Sequence, residues 1–180
     1  MEDELKLLAR ARALEEDALA EIHQTYYRAI YRYIAFRVSD QPLAEDLTSE
    51  VFTRLLSALR DKSAPQNTLR GWLYGVASRV VSDHFRQAGR APQVELSEMV
   101  AAETGMPEEE VDKRLSAERL RTAMQGLTED QQRVLALRFG FGMRTREVAE
   151  TINKSEGAVK QLQLRALTLL SQQLSGGEMT

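Results

Sequence analysis

At 180 residues, 43% of them hydrophobic, the chain has room for one large domain or two small ones with modest cores. It has no cysteine, which excludes disulfides and thiolate metal sites; no apolar run nears the ~20 residues that span a bilayer, and the opening MEDELKLLARAR lacks a signal-peptide core, so a soluble intracellular protein is expected. The net charge of −3 is unevenly spread: residues 1–90 carry 13 basic and 13 acidic side chains, residues 91–112 seven acidic and no basic ones, and residues 113–180 eleven basic against seven acidic.

Residues 1–15 are highly charged and read as a frayed helix or short arm. From about Asp17, Leu19, Ile22, Tyr26, Ile30, Tyr33 and Ile34 line one face of a helix ending near Val38. Ser39-Asp40-Gln41-Pro42 supplies a cap and a proline tolerated in a first helical turn. A second helix, about Leu43 to Leu59, carries Leu47, Val51, Leu55 and Leu59 at steps of four, with Glu45, Asp46, Ser49, Glu50 and Thr53 on its polar face. Residues 60–68 (RDKSAPQNT) are loop by composition. A third helix, Leu69 to about Gln87, offers Trp72, Leu73, Val76, Ala77, Val80 and Val81 to a core. Residues 91–112 lack periodicity and form the acidic boundary between domains. Helix resumes from about Lys113 to Gly126, and Thr128 with Gln131 forms a capping box that opens another helix, stopped by Gly140-Phe141-Gly142. The expected fold is all-α, two domains without an internal repeat.

Thr145–Leu170 reads as two helices broken by a tight turn. Thr145 is placed as the first cap, with Glu147 in the first turn and Val148, Ala149 and Ile152 on one face. Asn153, which enters the left-handed region at low cost, ends that helix, and Ser155 caps the next. Val159, Leu162, Ala166 and Leu169 form its apolar stripe, while Lys160, Gln161, Gln163 and Arg165 face outward. This is the layout of a helix-turn-helix, and equally of an αα-hairpin that only packs.

Taken together these segments resemble a bacterial extracytoplasmic-function (ECF) RNA polymerase sigma factor. AEDLTSEVFTRLL (Ala44–Leu56) is similar to that family's core-polymerase-binding helix, LRGWLYGVASRVVSDHFR (Leu69–Arg86) to its promoter-melting helix, and LTEDQQRVLALRF with TREVAETINKSEGAVK to its C-terminal DNA-binding domain. The resemblance covers roughly residues 16–90 and 113–174. It implies an arm (1–15), a sigma region 2 helical bundle (16–90), a flexible acidic linker (91–112), a region 4 helix-turn-helix domain (113–174) and a tail (175–180).

The implied partners are core RNA polymerase, through its β′ clamp helices and β flap, promoter DNA, and an anti-sigma factor, with no membrane insertion and a cytoplasmic location. Polymerase would be gripped by Asp46, Ser49, Glu50, Phe52 and Leu56; the bare helix reads equally as a solvated face. The −10 element would meet Asp61, Lys62, Asn67, Arg79, Asp83, Arg86 and Arg90, cations and loop groups suited to holding backbone and unstacked bases; Trp72 reads as core. The −35 element would meet Arg144, Arg146, Lys154, Ser155, Glu156, Gly157, Lys160, Gln161 and Arg165. Glu156 reads equally as a helix-dipole partner.

The chain departs from the family in places. Ser49 stands where many relatives have Gln, Arg79 where many have Asn, and Asn153 where a turn Gly is usual. QLQLRAL also replaces a more basic SRLHRAR, leaving Leu162 and Leu167 at positions that are basic in relatives. No catalytic, cofactor-binding or metal-binding residue is expected, because His23 and His84 are isolated and no phosphate-cradling glycine loop occurs. The competing readings are a stand-alone helix-turn-helix regulator with a helical sensor domain and a helical adaptor that binds only protein.

Overall fold

The structure, a computed structural model, describes residues 2–38, 40–65, 68–89 and 108–175, and every regular element among them is helical. The chain forms two compact units, Met1–Gln93 and Val94–Thr180.

The first unit holds α1 (Glu2–Arg12), α2 (Glu16–Val38), α3 (Gln41–Arg60) and α4 (Leu69–Gln87). Its core follows the apolar periodicities: Ile22, Ile30 and Ile34 of α2, Val51, Leu55 and Leu59 of α3, and Leu69, Leu73, Val80 and Val81 of α4 are all buried. The only buried polar side chain described in this unit, Thr48, gives its hydroxyl to the Ala44 carbonyl at 2.6 Å. Asp40 caps α3 by accepting the Leu43 N–H at 2.8 Å. At the far end Lys62 turns left-handed (φ 55°), its N–H donating to Leu59 O and that of Ser63 to Ala58 O, which satisfies carbonyls that the last turn leaves free.

The charged opening stretch is not a frayed arm. It folds as α1 and packs on α2 and α3, with Leu8 1% and Ala11 0% exposed. Leu7, Leu8 and Ala11 share a narrow stripe that the surrounding charges mask in a composition-based reading.

The second unit holds α5 (Glu108–Gln125), α6 (Glu129–Leu135), α7 (Thr145–Ile152) and α8 (Glu156–Ser175), with α8 packed against the other three. Helix α5 begins five residues before the expected Lys113, inside the stretch read as linker; residues 91–107 and the tail 176–180 lie outside the described residues. The capping box forms: Thr128 Oγ1 accepts the Gln131 N–H at 3.3 Å and Gln131 Oε1 the Thr128 N–H at 2.9 Å. After α6 the chain widens into a π-helical turn, Ala136–Gly140, closed by the Phe141 N–H on Ala136 O at 3.0 Å. Gly142, at φ 63°, then lets Met143 return to the core at 0% exposure.

Candidate protein and nucleic-acid interfaces

The polar face of α3 stands as the spacing of its leucines requires. Asp46 and Ser49 are exposed, Ser49 bonding back to Glu45 O at 3.0 Å. Glu50 is half-buried and accepts from Arg54 Nη2 at 2.5 Å, and Leu56 is 38% exposed. Phe52 is half-buried beneath an aromatic strip from α2: the His23 ring lies 4.7 Å from Phe52, and Tyr27 stacks on both Phe52 (6.2 Å) and Tyr31 (6.1 Å). His23 thus belongs to this aromatic strip. The signal was available, because His23, Tyr27 and Tyr31 recur at steps of four beside the core stripe Ile22, Tyr26, Ile30.

The same helix is wired to α4. Arg54 lies between Glu50 and Asp83, whose carboxylate is 3.7 Å away and also takes the Arg86 guanidinium at 2.6 Å. Asp83 thus ties α3 to α4 and holds Arg86 rather than standing open. Asp61, Lys62 and Arg79 are exposed, and among the described residues Arg79 has no ionic partner. Tyr74 is 5% exposed, its ring in an edge-to-face contact with Tyr33 at 5.2 Å. Trp72 is half-buried. Asn67 and Arg90 lie outside the described residues.

In the second unit Asn153 takes the left-handed conformation (φ 54°, ψ 51°) that the turn needs, and the Lys154 N–H closes it on Ala149 O at 2.9 Å. Ser155 Oγ caps α8 by accepting the Ala158 N–H at 3.1 Å. Thr145 does not cap α7. It is the first helical residue, and Glu147 reaches back to accept the Arg144 N–H at 2.6 Å.

Three groups expected to face outward or to meet DNA are engaged. Gln163 is half-buried and accepts from Arg138 Nε at 3.3 Å, while Arg138 also donates to the Met143 carbonyl, so this pair fixes the π turn against α8. Lys154 pairs with Asp130 at 2.9 Å, and Arg146 with Glu150 at 3.1 Å. The stripe of α8 also ends differently, with Leu170 buried and Leu169 36% exposed. Arg144, Glu156, Gly157, Lys160, Gln161 and Arg165 are all exposed along the turn and the outer side of α8. A helix that presents one acidic residue at its start and two cations further along fits a groove lined by phosphates.

Comparison with known proteins agrees with this geometry. Residues 22–91 match the family model for Sigma-70 region 2 and residues 117–170 that for Sigma-70 region 4. The chain is 36% identical over 172 residues to the ECF RNA polymerase sigma factor BldN of Streptomyces coelicolor, covering 94% of this chain and 65% of that protein. It is 31% identical to SigD of Mycobacterium tuberculosis, covering 93% and 82%, and 27% identical to SigX of Bacillus subtilis, covering 86% and 82%. Among solved structures it shares the fold of CnrH, solved in complex with the cytosolic domain of CnrY, with a TM-score of 0.68 at 20% identity over 96% of this chain and 97% of that one. The chain belongs to the ECF RNA polymerase sigma factors. No helix among the described residues is long and apolar enough to cross a membrane.

Proposed function

We propose that the chain is a promoter-specificity subunit of RNA polymerase acting in the cytoplasm. The carrying observation is that its two units present complementary surfaces: an acidic and aromatic face on α2 and α3, and cation-bearing exposed faces on α4 and α8. The acidic face, Asp46, Ser49 and Glu50 with Phe52 and Leu56, meets the β′ clamp helices; charge sets register and association rate while the apolar groups supply contact area.

Lys62, Arg79 and Arg86 hold the backbone of the opened −10 element. Arg79 replaces the amide common at its position in relatives, so it acts through phosphate or through an altered base preference. The turn and α8 read the −35 element as duplex, with the β flap as the second polymerase contact. Here Lys160 and Arg165 carry the phosphate contacts, and Glu156 and Gln161 face base edges, a carboxylate being able to accept from a cytosine amino group. Because polymerase holds both units together, each needs only modest affinity of its own. An anti-sigma factor that covers these surfaces keeps the subunit inactive. The chain itself performs no catalysis.

The test is in-vitro transcription with core RNA polymerase on a library of genomic fragments. Transcripts with shared upstream elements at two spacings are expected. Binding of the free chain to palindromic duplexes, with no dependence of transcription on core polymerase, would refute the proposal.

A further inference from the structure

None of these surfaces uses a set of contacts made by α1. Glu4 accepts the backbone N–H groups of Leu69 (2.9 Å) and Arg70 (3.2 Å) through one carboxylate oxygen, and its other oxygen lies 3.3 Å from the Arg70 guanidinium. Its side chain is only 11% exposed. Those N–H groups belong to the first turn of α4, which has no intrahelical acceptor for them, and the next one, of Gly71, is taken by Thr68 Oγ1 at 3.2 Å. Eight residues along α1, Arg12 donates to the Pro65 carbonyl at 2.6 Å and reaches that of Ala64 at 3.5 Å. One helix therefore holds both the middle of the α3–α4 connection and the first turn of α4, through backbone groups.

We propose that α1 is a brace for the promoter-opening segment, with Glu4 and Arg12 as positioning residues. They fix the start of α4 against the end of α3, so that Lys62 and the outward side of α4 meet the −10 element in one register. The proposal rests on the reading of the first unit as the −10 reader. Anchorage of α1 does not depend on these two side chains, because Leu7, Leu8 and Ala11 already bury it. Their hydrogen bonds act on the connection instead. A charge-assisted bond to a loop carbonyl adds little to a core, but it selects one loop conformation among many.

The experiment is in-vitro transcription by core RNA polymerase with the full chain, on template pools randomised at the −10 or at the −35 position, beside core-binding affinity and amide hydrogen exchange. Glu4→Gln and Arg12→Ala should flatten the −10 preference by about tenfold or more, the effect of one hydrogen bond to a charged group, with −35 preference and core affinity unchanged. Arg12→Lys should restore much of it. Arg10→Ala, which breaks only the α1 contacts to Glu15 (2.8 Å) and Glu21 (3.4 Å), should match wild type. In Glu4→Gln the amides of Leu69 and Arg70 should exchange about tenfold faster.

A wild-type −10 preference in both Glu4→Gln and Arg12→Ala, with Lys62→Ala lowering promoter opening, overturns the brace alone. Promoter opening unchanged in Lys62→Ala as well removes the −10 reading and the brace with it. A parallel fall in −10 preference, −35 preference and core affinity assigns both residues to general stability and also overturns the proposal. Should Glu4→Gln fail to fold, Arg12→Ala, which touches only carbonyls of the connection, carries the test.

Discussion

Replacing Lys62 by glycine separates two properties that the wild-type residue combines. Lys62 leaves α3 at φ 55°, a conformation that costs an L-residue about 1–2 kcal/mol. Glycine avoids that cost and returns about 0.4–1 kcal/mol through its greater freedom in the unfolded chain. Glycine should thus exceed alanine at this position by about 0.5–1 kcal/mol. Spread over the first unit, which ends at Gln93, at about 2.1 cal/mol/K per residue, the unfolding midpoint rises by about 3–5 °C. Trp72 is the chain's one tryptophan and lies in α4, so its fluorescence follows this unit within the intact protein. Lys62→Ala removes the same cation and keeps the strained backbone, which makes the difference between the two variants the quantity to read. Both should lose promoter opening to the same extent, since both lack the ammonium. A Lys62→Gly midpoint no higher than that of Lys62→Ala would refute the strain; opening retained by both would refute the role of the cation.

Other expectations can be checked separately. Asp46→Lys with Glu50→Lys should abolish co-purification with core polymerase while helical circular dichroism is kept, and unchanged co-purification would count against the acidic face as the contact. Thr128→Ala removes one half of the capping box and should destabilise the second unit by about 1 kcal/mol, measured by calorimetry on the full chain, with the Trp72 transition unmoved. Lys160→Ala and Arg165→Ala should each lower the slope of log affinity against log salt for −35 duplex by about 0.9, and an unchanged slope would take that side chain off the phosphates.

Much of the fold was legible because it rests on local chemistry. The leucine steps of α3, the cap at Asp40, the box at Thr128 and the left-handed stop at Asn153 are each written within a few residues, and each appears in the structure. What escaped depends on neighbours distant in sequence or on a choice between adjacent groups. The helix α1 hides its three buried residues among charges, and the backbone groups that Glu4 and Arg12 hold lie more than fifty residues away. Thr145 is drawn into the first turn of α7, leaving Arg144 at the cap position with its N–H taken by Glu147. Of the proposed surface groups, the pattern placed Lys160, Gln161 and Arg165 outward but could not show that Lys154 is held by Asp130, or Asp83 by Arg54, because pairing between elements follows from packing.

The carboxylate of Glu4 sets the start of α4 apart from other helix starts in the molecule. Asp40 and Ser155 cap their helices from within the same few residues, so those caps exist as soon as a first turn nucleates. The acceptor for Leu69 and Arg70 arrives from 65 and 66 residues away. Closing that distance carries an entropic cost that only the assembled unit repays. The first turn of α4 is therefore coupled to the integrity of the whole bundle, and loosening of α1 at Leu8 or Ala11 is felt first at the far end of the chain segment it touches. In the language of cooperativity, the start of α4 has a local cap in Thr68 and a second one in Glu4 that opens only with the domain.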